Sequence, residues 1–259
     1  MKHRLAATFL IALALASTAV DAATLVPGGT VLPVRLSSTL SSKNAKPGQV
    51  VTARIMQNVP LPNGARIPAG ATLTGHVTQV TRASQSASGS ISIRFDNLRV
   101  PHERILLTLH LRAIASFMEV QRAQDPLMGA DRGTPESTWT TVQIGGDIVY
   151  RGGGPVEGKL GKVGEPVYDG VVGRLNANSN GGCGASDPED RPQALWLFSS
   201  DACGAYGLPG LNIVHTGRSV PVGEITFGSS KGNVTLRAGS GLLLRVNVDA
   251  SPSAPRKAS

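Results

Sequence analysis

Residues 28–77 read GGTVLPVRLSSTLSSKNAKPGQVVTARIMQNVPLPNGARIPAGATLTGHV. Short runs of alternating apolar and polar side chains are separated by Lys46-Pro47-Gly48, Pro62-Asn63-Gly64 and Ile67-Pro68-Ala69-Gly70. Period-two alternation marks half-buried strands, and Pro and Gly set the backbone of tight turns. Residues 224–246, EITFGSSKGNVTLRAGSGLLLRV, have the same texture. Together they predict the walls of one all-β unit, an antiparallel β-barrel or sandwich. No His, Cys or acidic residue precedes His76 in the first stretch, so it reads as wall and not as site.

Working outward, the pattern predicts strands over 29–36, 50–58, 71–82, 90–98 and 105–115. In the fourth, Ile91, Ile93 and Phe95 share a face opposite Ser92, Arg94 and Asp96. In the fifth, Leu107, Leu109 and Leu111 lie opposite Thr108, His110 and Arg112. Residues 116–222 differ. Glycine is so frequent over 145–184 that regular elements are weakened, and this region is expected to be a Gly-rich insert. Its polar start reads either as one short helix near 117–124 or as none, and brief strands are expected over 140–144, 148–151 and 171–175. Leu195-Trp196-Leu197-Phe198 reads as a buried strand, with Trp196 and Phe198 on one face and Leu195 and Leu197 on the other. Strands return over 212–215, 223–229, 233–236 and 242–248. The division expected is 1–22 signal peptide, 23–115 first barrel part, 116–222 insert, 223–250 closing strands and 251–259 disordered tail.

The N-terminus carries Lys2 and Arg4, then an apolar run over 5–16, then Val20-Asp21-Ala22. That order is a secretory signal cleaved after Ala22. The run is too short for about 30 Å of hydrocarbon, and no later segment is apolar enough to span it. A periplasmic or extracellular location follows. There the two cysteines, Cys183 and Cys203, are expected to pair. Such a bridge closes a loop worth about 3 kcal/mol. The net charge of +8 favours acidic neighbours. Arg35, Arg54, Arg66, Arg82, Arg94, Arg99, Arg104 and Arg112 are spread singly, and aromatics make up 4% of the chain. Nucleic-acid readers interleave basic and aromatic residues, so nucleic acid is not an expected partner.

The run Gly29-Thr30, Leu36, Ser41-Ser42, Pro47-Gly48, Val50 to Val59, Asn63-Gly64, Ile67-Pro68-Ala69-Gly70 and Gly75 resembles the barrel of TrbI-like scaffold proteins of conjugation and type IV secretion systems. Ile225-Thr226-Phe227 and residues 239–246 resemble the end of that barrel. The resemblance covers about a fifth of the chain well and implies a β-barrel. It does not extend to a pore or energy-sensing role. Where pore-lining members carry an apolar helical pair, this chain has glycine, and the family's upstream membrane helix and Pro-rich linker have no counterpart. The run LWLFSSDACGAYGL, residues 195–208, is similar to exported bacterial β proteins, a likeness that implies no activity.

Chemistry-bearing motifs are weak. Residues 153–160, GGPVEGKL, imitate a phosphate-binding loop, but Leu160 replaces the hydroxyl that holds Mg²⁺. Asp187, Glu189 and Asp190 offer three carboxylates and read as a Ca²⁺ turn or as a solvated one. His76, His102, His110 and His215 accompany no G-x-S-x-G elbow. Carboxylates for glycoside hydrolysis must stand about 5–10 Å apart, and sequence cannot place Glu119, Asp125, Asp131, Glu136 and Asp147. No catalytic residue, metal or cofactor is therefore assigned. The expected function is an exported envelope module, structural, assembly or ligand-binding, without catalysis. The alternative is a secreted hydrolase of cell-wall or extracellular polysaccharide. The candidate binding residues are Tyr150, Tyr168, Asp187, Glu189 and Asp190. The partner classes are an envelope protein or an anionic surface polymer.

Overall fold

A computed structural model describes residues 26–101, 103–125, 140–151, 153–177 and 189–248. The expected signal (1–22) and tail (251–259), together with Cys183 and Asp187, lie outside these. The first strands are β1 (Val31–Leu36), β2 (Leu40–Ser41), β3 (Val50–Ile55), β4 (Val59–Pro60), β5 (Arg66–Ile67), β6 (Thr72–Thr81), β7 (Ser90–Val100), β8 (Glu103–Leu106) and β9 (Leu109–Ala115). Helix α1 (Phe117–Gln124) follows, capped by Ser116, whose hydroxyl accepts from Glu119 N at 3.2 Å. Next come β10 (Thr140–Val142), β11 (Ile148–Tyr150), β12 (Val156–Gly158), β13 (Gly161–Val167), β14 (Gly170–Leu175) and β15 (Glu189–Ala194). The chain ends with β16 (Gly204–Tyr206), β17 (Leu211–His215), β18 (Glu224–Ser229), β19 (Thr235–Leu236) and β20 (Gly241–Val246).

Nine strands form one sheet in the order β16-β9-β20-β1-β3-β6-β7-β18-β17, with β8 paired to β7. All neighbours are antiparallel except β16 on β9. The sheet curls until its two ends, β16 and β17, meet without pairing. Leu111 N donates to Thr216 O at 2.7 Å and ties the seam. The result is a nearly closed barrel, and both expected parts build it. Inward residues such as Leu32, Val34, Ala53, Ile55, Leu73, Ile93, Phe95, Leu98, Ile225 and Phe227 fill its core. Gly75 faces a bulge in β7, where Asp96 is the extra residue between the partners of Thr74 and Gly75, and a Cβ on Gly75 would stand 2.0 Å from the Arg94 carbonyl oxygen.

The region expected to be a Gly-rich insert with brief strands is more regular than that: the three expected strands are β10, β11 and β14, and β12, β13 and β15 join them. Strands β10 to β15 form an antiparallel sheet in chain order. It packs a second core on the outside of β1, β9 and β20, through Val31, Ala113, Ala115 and Leu243. Two further elements of 116–222, β16 and β17, belong to the barrel sheet, so this stretch is not an insert throughout. The glycines do not prevent pairing, because several stand where strands approach closely. A Cβ on Gly164, for example, would lie 2.4 Å from the Val172 carbonyl oxygen.

One expected strand is corrected, and the second layer changes the burial of its polar face. The predicted strand over 105–115 divides into β8 and β9, interrupted at Leu107-Thr108. His110 and Arg112, on the polar face opposite Leu109 and Leu111, are both buried. Every residue of β9 and β20 is buried, because one face meets the barrel core and the other the second sheet. A strand covered on both faces loses its exposed half.

Candidate functional site

The Leu195-Trp196-Leu197-Phe198 run is not a strand with two opposite faces. Pairing ends at Ala194, and Trp196 adopts a left-handed φ of 52°. All four side chains enter the second core. Buried polar groups hold the turn. The Gln57 amide, fully buried just past β3, donates to Val171 O at 2.9 Å and accepts from Val171 N at 3.2 Å and Trp196 N at 2.5 Å. Gly170 makes room for it, since a Cβ there would meet Gln57 Oε1 at 2.2 Å. Gln143 Nε2 donates to Trp196 O at 3.0 Å. Arg112 donates from Nε to Ala202 O at 3.1 Å and from Nη2 to Asn176 O at 2.7 Å and Ser200 O at 3.3 Å.

The same segment gathers Asp147, Ser199, Ser200, Asp201 and Tyr206. Asp147 Oδ2 accepts from Ser200 N at 2.7 Å. Ser199 Oγ donates to Asp201 Oδ1 at 2.8 Å, and Asp201 pairs with Lys159 at 3.6 Å. Tyr206 Oη accepts from Cys203 N at 3.0 Å. Burial pushes the Tyr206 hydroxyl and the Asp147 carboxyl up from their ordinary values; for Asp147, the Ser200 hydrogen bonds oppose this and Asp201 adds to it. These groups face backbone and one another, which makes them fasteners between the two sheets.

The raised Asp147 pKa has a definite stability signature. Above the ordinary 3.8, the folded chain keeps a proton that the unfolded chain has released. Its contribution is therefore fully present below 3.8 and is lost as pH rises through the folded value. Asp147→Asn is expected to flatten urea stability across that interval. Equal slopes for the two proteins would show that Asp147 is not the group responsible.

A groove of about 410 Å³ opens where the barrel meets the second sheet. One bank is Gln57, Asn58, Pro60 and Arg66, from the end of β3 through the β4–β5 hairpin. The other is Val167, Tyr168, Asp169, Val172 and Pro192, from the β13–β14 hairpin and β15. Asn58 is fixed, since its Oδ1 accepts from Ala69 N at 3.0 Å. Arg66 and Asp169 are exposed at the rim, and Tyr168 is 99% exposed at the hairpin tip.

Of the sequence candidates among the described residues, Tyr168 alone lines the groove. Tyr150, half-buried on β11, packs against Gly154. Glu189 and Asp190 begin β15 and are not part of a turn. Glu189 pairs with Leu175, at the end of β14 remote from Gly170 and Tyr168. Asp190 is exposed there. Among the described residues no group of three His, Cys, Asp or Glu side chains is placed to hold a metal ion. Gln57, Asn58 and Arg66 were missed because the bank they form exists only once the β13–β14 hairpin docks beside it. No protein-family model matches the chain, and no curated protein matches it.

Proposed function

We propose that this chain is an exported, non-catalytic cell-envelope module that binds envelope polysaccharide in the groove between its two sheets. The observation that carries the reading is the groove itself, with Tyr168 standing fully exposed on its rim. Its volume falls in the range of small-molecule sites, about 300–1,000 Å³. An apolar lining with a few fixed polar groups suits a sugar, whose faces are apolar and whose rim is polar. The bank from the second sheet is a hairpin tip on a fastened scaffold, where binding groups commonly sit. The proposed bridge between Cys183 and Cys203 would fasten the 195–203 turn further; two free thiols in intact-mass measurement of the non-reduced protein would remove it.

The test is calorimetric titration of the full chain with soluble peptidoglycan fragments. Tyr168→Ala is expected to weaken binding at least about tenfold, the equivalent of about 1.4 kcal/mol. No new reducing ends should form on long incubation. Equal binding by the variant removes the groove from the account. Release of reducing ends favours the alternative, a hydrolase acting on the same polymer.

A further inference from the structure

The arginines that stand singly in the sequence fall into line on the barrel wall. Arg35 on β1 is directly opposite Arg54 on β3. Arg54 is opposite Thr72 on β6, and Thr72 is opposite Arg99 on β7. Arg99 is opposite Arg104 on β8. Residues directly opposite in a ladder point to the same face. That face is outward, because the flanking Val34, Leu36, Ala53, Ile55, Leu73, Leu98 and Ile105 are in the barrel core. Arg54, Arg99 and Arg104 are exposed, and Arg35 is half-buried. With strands about 4.8 Å apart, the row runs about 19 Å around the barrel.

Among the described residues, no carboxylate pairs with an arginine of this row. The ion pairs among the described residues include His76–Asp96, Glu119–Arg122, Lys159–Asp201 and Lys162–Glu165, and none of these includes an arginine of the row. Like charges directly opposite in a sheet are destabilising, yet the row contains two such pairs. Arg35 is steadied by Trp196, whose ring centroid lies 5.0 Å from its guanidinium carbon. Its Nε and Nη2 are shielded from solvent and meet no acceptor, which is uncommon for buried donors.

Beside this row lies a second, neutral one. Thr52 is opposite Thr74, and Thr74 is opposite Asn97. Each stands two residues from its arginine-row neighbour on the same strand, so the rows share a face about 7 Å apart. We infer that this face of the barrel, the row Arg35, Arg54, Arg99 and Arg104 with its flank of Thr52, Thr74 and Asn97, binds a linear acidic polysaccharide. Guanidinium forks match carboxylates, and the hydroxyl and amide row suits the sugar hydroxyls beside them. Single-stranded nucleic acid is the poorer fit. It calls for aromatic platforms on which bases stack, and neither row contains one. The surface is separate from the Tyr168 groove, and its test can fail independently.

The experiment is fluorescence anisotropy of the full chain with labelled oligogalacturonate, a chain of uronic acids, at low and raised salt. Binding is expected to weaken at least about tenfold with salt, as for other polyanion contacts. The R54S/R99S double variant should lose at least tenfold in affinity while its Tm rises, because the repulsion is relieved. R104S, on a strand paired on one side only, should lose part of the affinity. Tyr168→Ala should bind oligogalacturonate as the parent does. Undiminished binding by R54S/R99S overturns the inference, as does equal binding of the methyl-esterified, uncharged oligomer. Tighter binding of a single-stranded DNA oligomer would make the surface a nucleic-acid site and overturn it as well.

Discussion

Replacing Gln57 with leucine is expected to destabilise the protein by about 2–6 kcal/mol, at about 1–3 kcal/mol for each of two buried donors left without an acceptor. Those donors are Val171 N and Trp196 N, which share Gln57 Oε1. Val171 O keeps a partner, since Leu195 N donates to it at 2.9 Å. Leucine nearly conserves volume, so a cavity adds little to the loss. Equilibrium urea unfolding followed by Trp fluorescence reads the effect. Trp196 sits at the joint, so the second sheet should lose its packing at lower denaturant than in the parent. A change below about 1 kcal/mol would mean that the amide is incidental to the joint, since a single orphaned donor already costs that much.

Arg112→Met is the second large effect, at about 3 kcal/mol. The guanidinium is 2% exposed and reaches three carbonyls on the far side of the second core. Ser200 O retains the Asn176 N–H at 3.0 Å, so the loss concentrates on Ala202 O and Asn176 O. Each costs about 1–3 kcal/mol when stranded. Methionine offsets part of this by removing a buried charge. Arg112→Lys keeps the charge but not the fork, and is expected to recover less than half of the loss. Thermal unfolding of the three proteins decides it. A methionine variant as stable as the parent would show that the charge contributes nothing net.

The barrel was legible because its strands are half-buried. Alternation at Ile91, Ile93 and Phe95, or at Ala53 and Ile55, records an inside and an outside directly. The helix was half legible: a mixed, polar stretch after Ser116 allowed one short helix or none, and α1 is the first of these. Of the second sheet, β10, β11 and β14 were legible as brief strands over 140–144, 148–151 and 171–175, but their assembly with β12, β13 and β15 into one sheet was not. Its strands are short and rich in glycine, and glycine carries no side chain to reveal a face. Val163 and Val171 sit in its core, but Gly164, Gly170 and Gly173 stand where the chain needs close approach. The same blindness hid the burial of His110 and Arg112. Their alternation suggests a wet face, and only the docked sheet makes that face dry. The arginine row was invisible for another reason. Its members lie up to 69 positions apart, and only the register of five strands aligns them.

The central claim is that the two sheets form one body whose joint is the binding site. Amide chemical-shift mapping of the full chain, titrated with soluble peptidoglycan fragments, tests it most directly. The account predicts saturable shifts on both banks at once, at residues 57–66 of the barrel and 167–172 of the second sheet, with the strands of the barrel core unmoved. Shifts confined to one bank, or clustered away from both, would contradict it.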